Sequence, residues 1–533
     1  MRRWTWLRSA SLTAAAFAAI ALTQGGALAQ APTKTLRFIA QADLTVLDPL
    51  WTTAYISRNF GYMIYDTLFS LDEHFEPKPQ MVDTWKMSDD KLTYTFTLRP
   101  GLKFHDGSPV RSADCIASLE RWMKKDSLGQ TLATYLAEMK AVDDKTFTIN
   151  LKRPFGLLLN ALAKLSSYVP FIMPERIAST DAGAQIKETI GSGPFKFVRE
   201  EWAPGSKVVF VKNADYVPRQ EPPSWLSGGK VVKLDRVEWL YIPDSTTAAN
   251  ALMAGEVDWW EQPPPDYLPL LAKNKDVRVK NIDPMGTMGV VRFNTLLPPF
   301  DNKKIRQAFL YALEQTDYLR VLGGDDTSNW KVCYSYFACG GAMASEVGAD
   351  VLKGKRDIGK AKQLLKEAGY KGERIVMIHA TDLEIVTKLG LVTDGLLKEM
   401  GVNVDLQAMD WGTLLKRRAS KEPIDKGGWN IFNTGFIGAD MVDPAVSLPL
   451  RANGDGAWFG WFKDDKMEAL RNQWFEAPDL AAQKKIAEAI QLEAFDQVPY
   501  LPTGQFILPT AFRSNIDGVI VTPVIFLWNI EKK

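Results

Sequence analysis

The chain has 533 residues, with 64 Lys and Arg against 63 Asp and Glu and a formal charge of +1, which excludes a broad basic surface for nucleic acid or an anionic membrane. Its 46% apolar and 11% aromatic content is that of a globular protein. Its length exceeds what one hydrophobic core organises, so two or three domains are expected.

At the N-terminus, Arg2, Arg3 and Arg8 surround the start of a small apolar run, Ala10 to Leu22, and Ala27-Leu28-Ala29 is a small-x-small cleavage pattern. This predicts a secretory signal peptide over residues 1–29 and a mature chain that begins near Gln30 with 61 basic and 63 acidic residues. No later run of about 20 apolar residues follows, so no membrane-spanning helix is expected. The predicted compartment is the bacterial periplasm, which is oxidising. Of three cysteines, Cys333 and Cys339 bracket YSYFA, a spacing that a tight loop can close into a disulfide, while Cys115 in SADCIASLERWM reads as a buried free thiol.

Strand and helix signals then alternate. TLRFIAQ opens with a strand, and TYTFTLRPG and FTINLKRP alternate apolar and polar residues as two antiparallel strands of one sheet. KVVFVKN and RVEWLYIPD are further strands, separated by the Pro/Gly-rich loop PRQEPPSWLSGGK. Asp301 is placed to cap a helix whose apolar face holds Ile305, Phe309, Leu310 and Leu313, and IGKAKQLLKEAGY predicts a helix ending at Gly369. RIVMIHA, a helix closed by Gly401, and VNVDLQAM continue a β/α alternation. A last helix over roughly 481–495 precedes PYLPTGQFILP and GVIVTPVI, which read as strands returning to an earlier sheet.

The segment MVDTWKMSDDKLTYTFTLRPGLKFHDGSPVRSADC sets Trp85, Asp89-Asp90, an alternating strand, Arg99-Pro100-Gly101, Asp106-Gly107-Ser108-Pro109 and Asp114 in one order. It resembles the signature of the dipeptide-, oligopeptide- and nickel-binding proteins of ABC importers, solute-binding family 5. GSGPFKF, AGEVDWW, FNTLLPPFDNKKIRQAFLYALEQ and AKQLLKEAGY follow in the family's order. The resemblance implies an α/β, two-lobed periplasmic-binding-protein fold of type II, cluster C, with an extra domain inserted in the first lobe. The implied boundaries are 30–70, 192–283 and 497–533 for lobe I, 71–191 for the extra domain and 284–496 for lobe II. It also implies a monomer that captures a peptide-like or other amine-bearing solute between the lobes and delivers it to ABC permease subunits.

Candidate ligand-binding residues follow from the same resemblance. GFIGADMVDP places Asp440 where peptide binders hold the ligand's α-ammonium, an acid with no cation in its local sequence. Asp443 is the better placed of the two to cap backbone N–H groups after Pro444. Trp411 in MDWGTLL, Phe436 and Tyr135 are the implied aromatic walls. Asn433 and Glu384 stand where relatives place cations for the ligand's carboxylate, so the sequence alone points to an amine-bearing solute without a clamped carboxylate.

Two other functions compete with this reading. A hydrolase using Asp440 and Asp443 as a carboxylate pair is disfavoured by their three-residue spacing on an extended loop. With only His74, His105 and His379, and no His-Glu-x-x-His, Gly-x-Ser-x-Gly or phosphate-loop pattern, neither enzyme activity nor a metal or cofactor is expected. A binding module serving a chemoreceptor differs from an importer component in nothing the sequence carries.

Overall fold

The computed structural model describes residues 34–533; the predicted signal peptide lies outside the described residues. Two sheets organise the chain. The first has seven strands in the spatial order Phe195–Phe197, Lys207–Lys212, Arg236–Leu240, Thr35–Ile39, Trp259–Trp260, Thr510–Arg513 and Val277–Lys280. The second has six, in the order Trp330–Lys331, Tyr500–Phe506, Thr287–Phe293, Ile431–Ile437, Ile375–Ala380 and Val404–Met409. Thr35–Ile39 pairs in parallel with both neighbours, as does Ile375–Ala380, while the remaining pairs are antiparallel. These sheets are the cores of two lobes.

A third sheet, four antiparallel strands in the order Val82–Met87, Thr93–Leu98, Thr146–Leu151 and Leu136–Ala141, is the core of the inserted domain. TYTFTL and TFTINL pair as their alternation predicts, with Tyr94, Phe96, Phe147 and Ile149 on the buried face. The inserted domain rejoins the first lobe at Gly191–Pro194. There Gly193 donates to Ile64 O, and a Cβ at Gly191 would stand 1.8 Å from that carbonyl, so only glycine fits.

Three local expectations are corrected. The helix after Pro298-Pro299 spans Lys303–Ala312 and is capped by Asn302, whose side chain accepts from Lys304 N, not by Asp301. The strand Tyr500–Phe506 pairs with Thr287–Phe293, so the final return begins in the second lobe, and the chain re-enters the first sheet only at Thr510. GVIVTPVI forms no strand. Its apolar residues pack irregularly against the first lobe rather than completing a ladder. The chain therefore crosses between lobes along 281–286 and 507–509, side by side.

Cys333 and Cys339 are bonded, with Cα atoms 5.8 Å apart, and Cys115 is buried and free. Among the described residues no helix is long and apolar enough to cross a membrane, and no cluster of three His, Cys, Asp or Glu is arranged to hold a metal ion.

Candidate functional site: an interlobe cavity with a neutralised acid and a bare cation

An empty volume of about 630 Å³, part of it open to solvent, lies between the lobes. That is within the range of small-molecule sites. The first lobe contributes Gln41, Thr53, Tyr55 and Gln262, and the second Thr287, Trp411, Arg418, Phe436 and Trp458.

Tyr55 opens the helix Tyr55–Ile64, which places its ring at the cavity edge. Its hydroxyl donates to Asp440 Oδ2 at 2.7 Å and accepts from Ile437 N at 2.8 Å, tying the first lobe to the second. Asp440 ends the 3-10 turn Gly438–Asp440 that follows the strand Ile431–Ile437. That turn presses on Met285, and a Cβ on Gly438 would stand 2.7 Å from Met285 Cβ. Ser166 and Ser167, from the inserted domain, donate to the same carboxylate oxygen at 2.8 and 3.2 Å.

Arg58 completes the arrangement. Its Nη1 donates to Ser166 Oγ at 2.6 Å and its guanidinium lies 4.1 Å over the Tyr55 ring. The cation missing from the sequence around Asp440 is thus Arg58, acting through the Ser166 hydroxyl, so the acid does not depend on a ligand for its partner. Burial and the Asp440 carboxylate hold the Tyr55 phenol well above its ordinary pKa, which keeps it a neutral donor.

Trp458 closes one wall. Its ring stands edge-on to Phe436 at 5.1 Å and Phe432 at 5.4 Å, and its Nε1 donates to Thr53 Oγ1 at 3.2 Å across the lobes. Trp411 begins the helix Trp411–Arg417, capped by Asp410, whose side chain accepts from Thr413 N. Its own N–H donates to Asp382 Oδ1, and Tyr241 from the first lobe donates to Asp382 Oδ2.

Of the six residues expected to bind ligand, Trp411 and Phe436 line the cavity, and Asp440 stands directly behind Tyr55. The other three are elsewhere. Asn433 points away from the cavity into the second lobe's core, accepting from Thr393 Oγ1 at 2.7 Å. Glu384 begins the helix Glu384–Glu399 and turns outward to Lys388, 2.9 Å away, on the helix surface. Tyr135 is buried against Phe155 and covered by the Arg153 guanidinium at 4.0 Å, so it does not reach the cleft. Asp443 accepts from the backbone N–H of Ala445 and Val446, as its capping role requires.

Tyr55 and Arg418 are site residues that sequence reasoning missed, and Trp458 stood out in the sequence without an assigned facing. Trp458, Phe459 and Trp461 put three aromatic residues into WFGW, more than core packing usually needs; Tyr55 and Arg418 left no comparable signal.

Residues 76–458 match the family described as "Bacterial extracellular solute-binding proteins, family 5 Middle". Over 506 residues the chain is 41% identical to a probable peptide ABC transporter periplasmic-binding protein, y4tO, of Sinorhizobium fredii, covering 95% of this chain and 94% of that protein. It is 27% identical over 491 residues to the glutathione-binding protein GsiB of Escherichia coli, covering 90% and 91% of the two chains. Among solved structures, the fold matches an agropinic acid complex of the binding protein AgaA of A. tumefaciens (TM-score 0.79, 22% identity, 94% of this chain and 99% of that one). It also matches the peptide-bound DppA of Helicobacter pylori (TM-score 0.76, 23% identity, 93% and 98%).

Proposed function

Because the chain belongs to the bacterial extracellular solute-binding proteins of family 5, we propose that it is the periplasmic receptor of an ABC importer. It closes two lobes on a peptide-like, amine-bearing solute and presents the closed form to a membrane permease. The observation that carries this reading is the cavity itself, walled by Tyr55 and Thr53 from one lobe and Trp411, Phe436 and Trp458 from the other. A solute seated there touches both lobes at once, so its binding energy favours closure. Lobe movement takes place about the two crossings, 281–286 and 507–509. The ligand's amine is received at the Tyr55 end of the cavity, behind which Asp440 supplies negative charge through its hydrogen bond to the Tyr55 hydroxyl.

The similarity to a peptide-transporter component and to a glutathione-binding protein supports a peptide-like ligand. The test is thermal unfolding of the mature protein against a panel of di- and tripeptides, glutathione included. A true ligand at about 100 times its Kd adds roughly 2.7 kcal/mol of stability. Chemical turnover of a panel member, or no stabilisation by any, would overturn the proposal.

A further inference from the structure

Arg418 differs from every other buried cation that faces this cavity or backs it. Its side chain is 2% exposed and lines the cavity. Nη2 donates to the Thr52 and Thr53 hydroxyls at 3.3 and 3.1 Å, both neutral, while Nε is buried with no partner. Aromatic rings surround the guanidinium carbon: Phe459 at 4.7 Å, Trp411 at 5.6 Å, Trp458 at 5.8 Å and Phe432 at 5.9 Å. Among the described residues no carboxylate forms an ion pair with it.

Arg292 and Arg58 show the contrast. Arg292 is equally buried but donates to the carbonyls of Pro449, Trp458, Phe459 and Pro499, and Arg58 is linked through Ser166 to Asp440. Arg418 caps a helix C-terminus, whose dipole offsets only part of a charge. A guanidinium fork out of water, with an unused N–H and no anion, costs several kcal/mol unless something pairs with it. The cavity is the side left open.

We propose that Arg418 binds a carboxylate of the transported solute. The claim rests on the importer reading and deepens it: the ligand carries an acid group as well as its amine. The fork suits a planar two-oxygen acceptor, and the aromatic rings exclude water and hold the guanidinium plane. This reverses the expectation from Asn433 and Glu384. Those positions are indeed neutral and acidic, but the cation comes from the end of another helix.

A second groove, on the far side of Trp458 and Phe459, agrees in sign. Its Lys421 is paired with Asp455 at 2.6 Å, and Lys124 and Lys125 leave it a positive balance that favours an anionic solute near the two rings that flank Arg418. The carboxylate is that of a peptide C-terminus or of a sugar-derived acid, which share this chemistry and which the experiment separates.

The experiment is calorimetry on the wild type, Arg418→Gln and Arg418→Lys, against free dipeptides, their C-terminal amides, glutathione and a sugar-acid amine conjugate, with benzoate as a bare carboxylate probe. The expected result is tight binding of free acids, a loss of about 100-fold on amidation, and the same loss in Arg418→Gln with acid and amide then bound alike. Arg418→Lys recovers part of the loss, because it restores charge without the fork. Benzoate binds the wild type at millimolar concentration and Arg418→Gln not at all.

Amides bound as tightly as acids, or acid selectivity kept in Arg418→Gln, would overturn the assignment. If no peptide binds but benzoate does so through Arg418, the carboxylate site stands and the peptide reading fails. If benzoate does not bind, the carboxylate site fails whatever the peptides do. Unfolding midpoints of both variants at or above the wild-type value show that the losses are not misfolding.

Discussion

Asp440→Asn tests whether the contact between Tyr55, Ser166 and Asp440 latches the lobes. Tyr55 belongs to the first lobe, Ser166 and Ser167 to the inserted domain and Asp440 to the second lobe, so all three donations to Oδ2 cross between bodies. Hydrogen bonds to a charged group contribute about 1.5–3 kcal/mol each. The two short ones, at 2.7 and 2.8 Å, are therefore worth about 3–6 kcal/mol to the closed form. Asparagine keeps one acceptor oxygen but loses the charge and places an amide against the Arg58–Ser166 pair, so about half of that is lost. A loss of about 1.5–3 kcal/mol lowers the closed-to-open ratio by roughly 10- to 150-fold. Dyes on cysteines at Val231 and Leu391, exposed on the first and second lobes, report this ratio by energy transfer. Ligand affinity falls by the same factor, because a ligand that needs the closed form is weakened as that form becomes rarer. Tyr55→Phe removes one donor and gives a smaller effect of the same sign. An unchanged closed fraction together with unchanged affinity in Asp440→Asn, or a larger effect from Tyr55→Phe, would refute the latch.

Other outcomes follow from single features. Burial raises Glu261, beside the lobe crossings, from 4.5 to about 7, so the folded state holds a proton that the unfolded state releases between these values. Stability therefore falls by up to about 3 kcal/mol as pH rises through this window, and Glu261→Gln flattens the dependence of urea midpoints between pH 5 and 8. A slope unchanged in the variant assigns it to other groups, of which Asp283, raised by burial to about 6, is the first candidate. Trp458→Ala removes the wall shared with Phe436 and Arg418 and weakens ligand binding at least tenfold, read by calorimetry; binding within twofold of wild type would place the ligand elsewhere. Reducing the Cys333–Cys339 bond costs about 2 kcal/mol, modest because the loop is short, and mass spectrometry of unreduced protein carrying two alkylated thiols there would show it unformed.

Period and order made the fold legible. Tyr94, Phe96, Phe147 and Ile149 alternate so regularly that the pairing of their strands followed from the sequence, and Gly369 and Gly401, with φ near +90° and +73°, end their helices as expected. The final return to the first lobe was misread because Tyr500–Phe506 is buried on both faces. A continuous apolar strand carries no mark of which sheet it joins. At the site, Trp411 and Phe436 were legible because each sits in a local motif. Tyr55 and Asp440 are 385 residues apart, and no local pattern announces a hydrogen bond across that distance. Arg418 was hidden in the run Lys416-Arg417-Arg418, in which surface exposure is the ordinary expectation and only the helix phase sends the last residue inward.

The two charges at the cavity act in opposite directions on closure, and this bears on selectivity. Asp440 enters the closed form already compensated, by three hydroxyls and by Arg58 through Ser166, so closing over an empty cleft leaves no bare anion. Arg418 enters it uncompensated: its contacts with Thr52 and Thr53 are made across the lobes, and burial in this arrangement lowers its pKa to about 10. At 1.36 kcal/mol for each tenfold change, keeping it charged there costs about 3 kcal/mol. A neutral or cationic solute leaves that cost in place and gains less from closure than its contacts alone suggest. A carboxylate removes it and adds a charge-assisted fork. Arg418 therefore discriminates twice, by attracting the right solute and by opposing closure on the wrong one. A receptor whose closed form is what the permease recognises gains from this arrangement, since the conformation, rather than occupancy alone, then reports that the correct ligand is present.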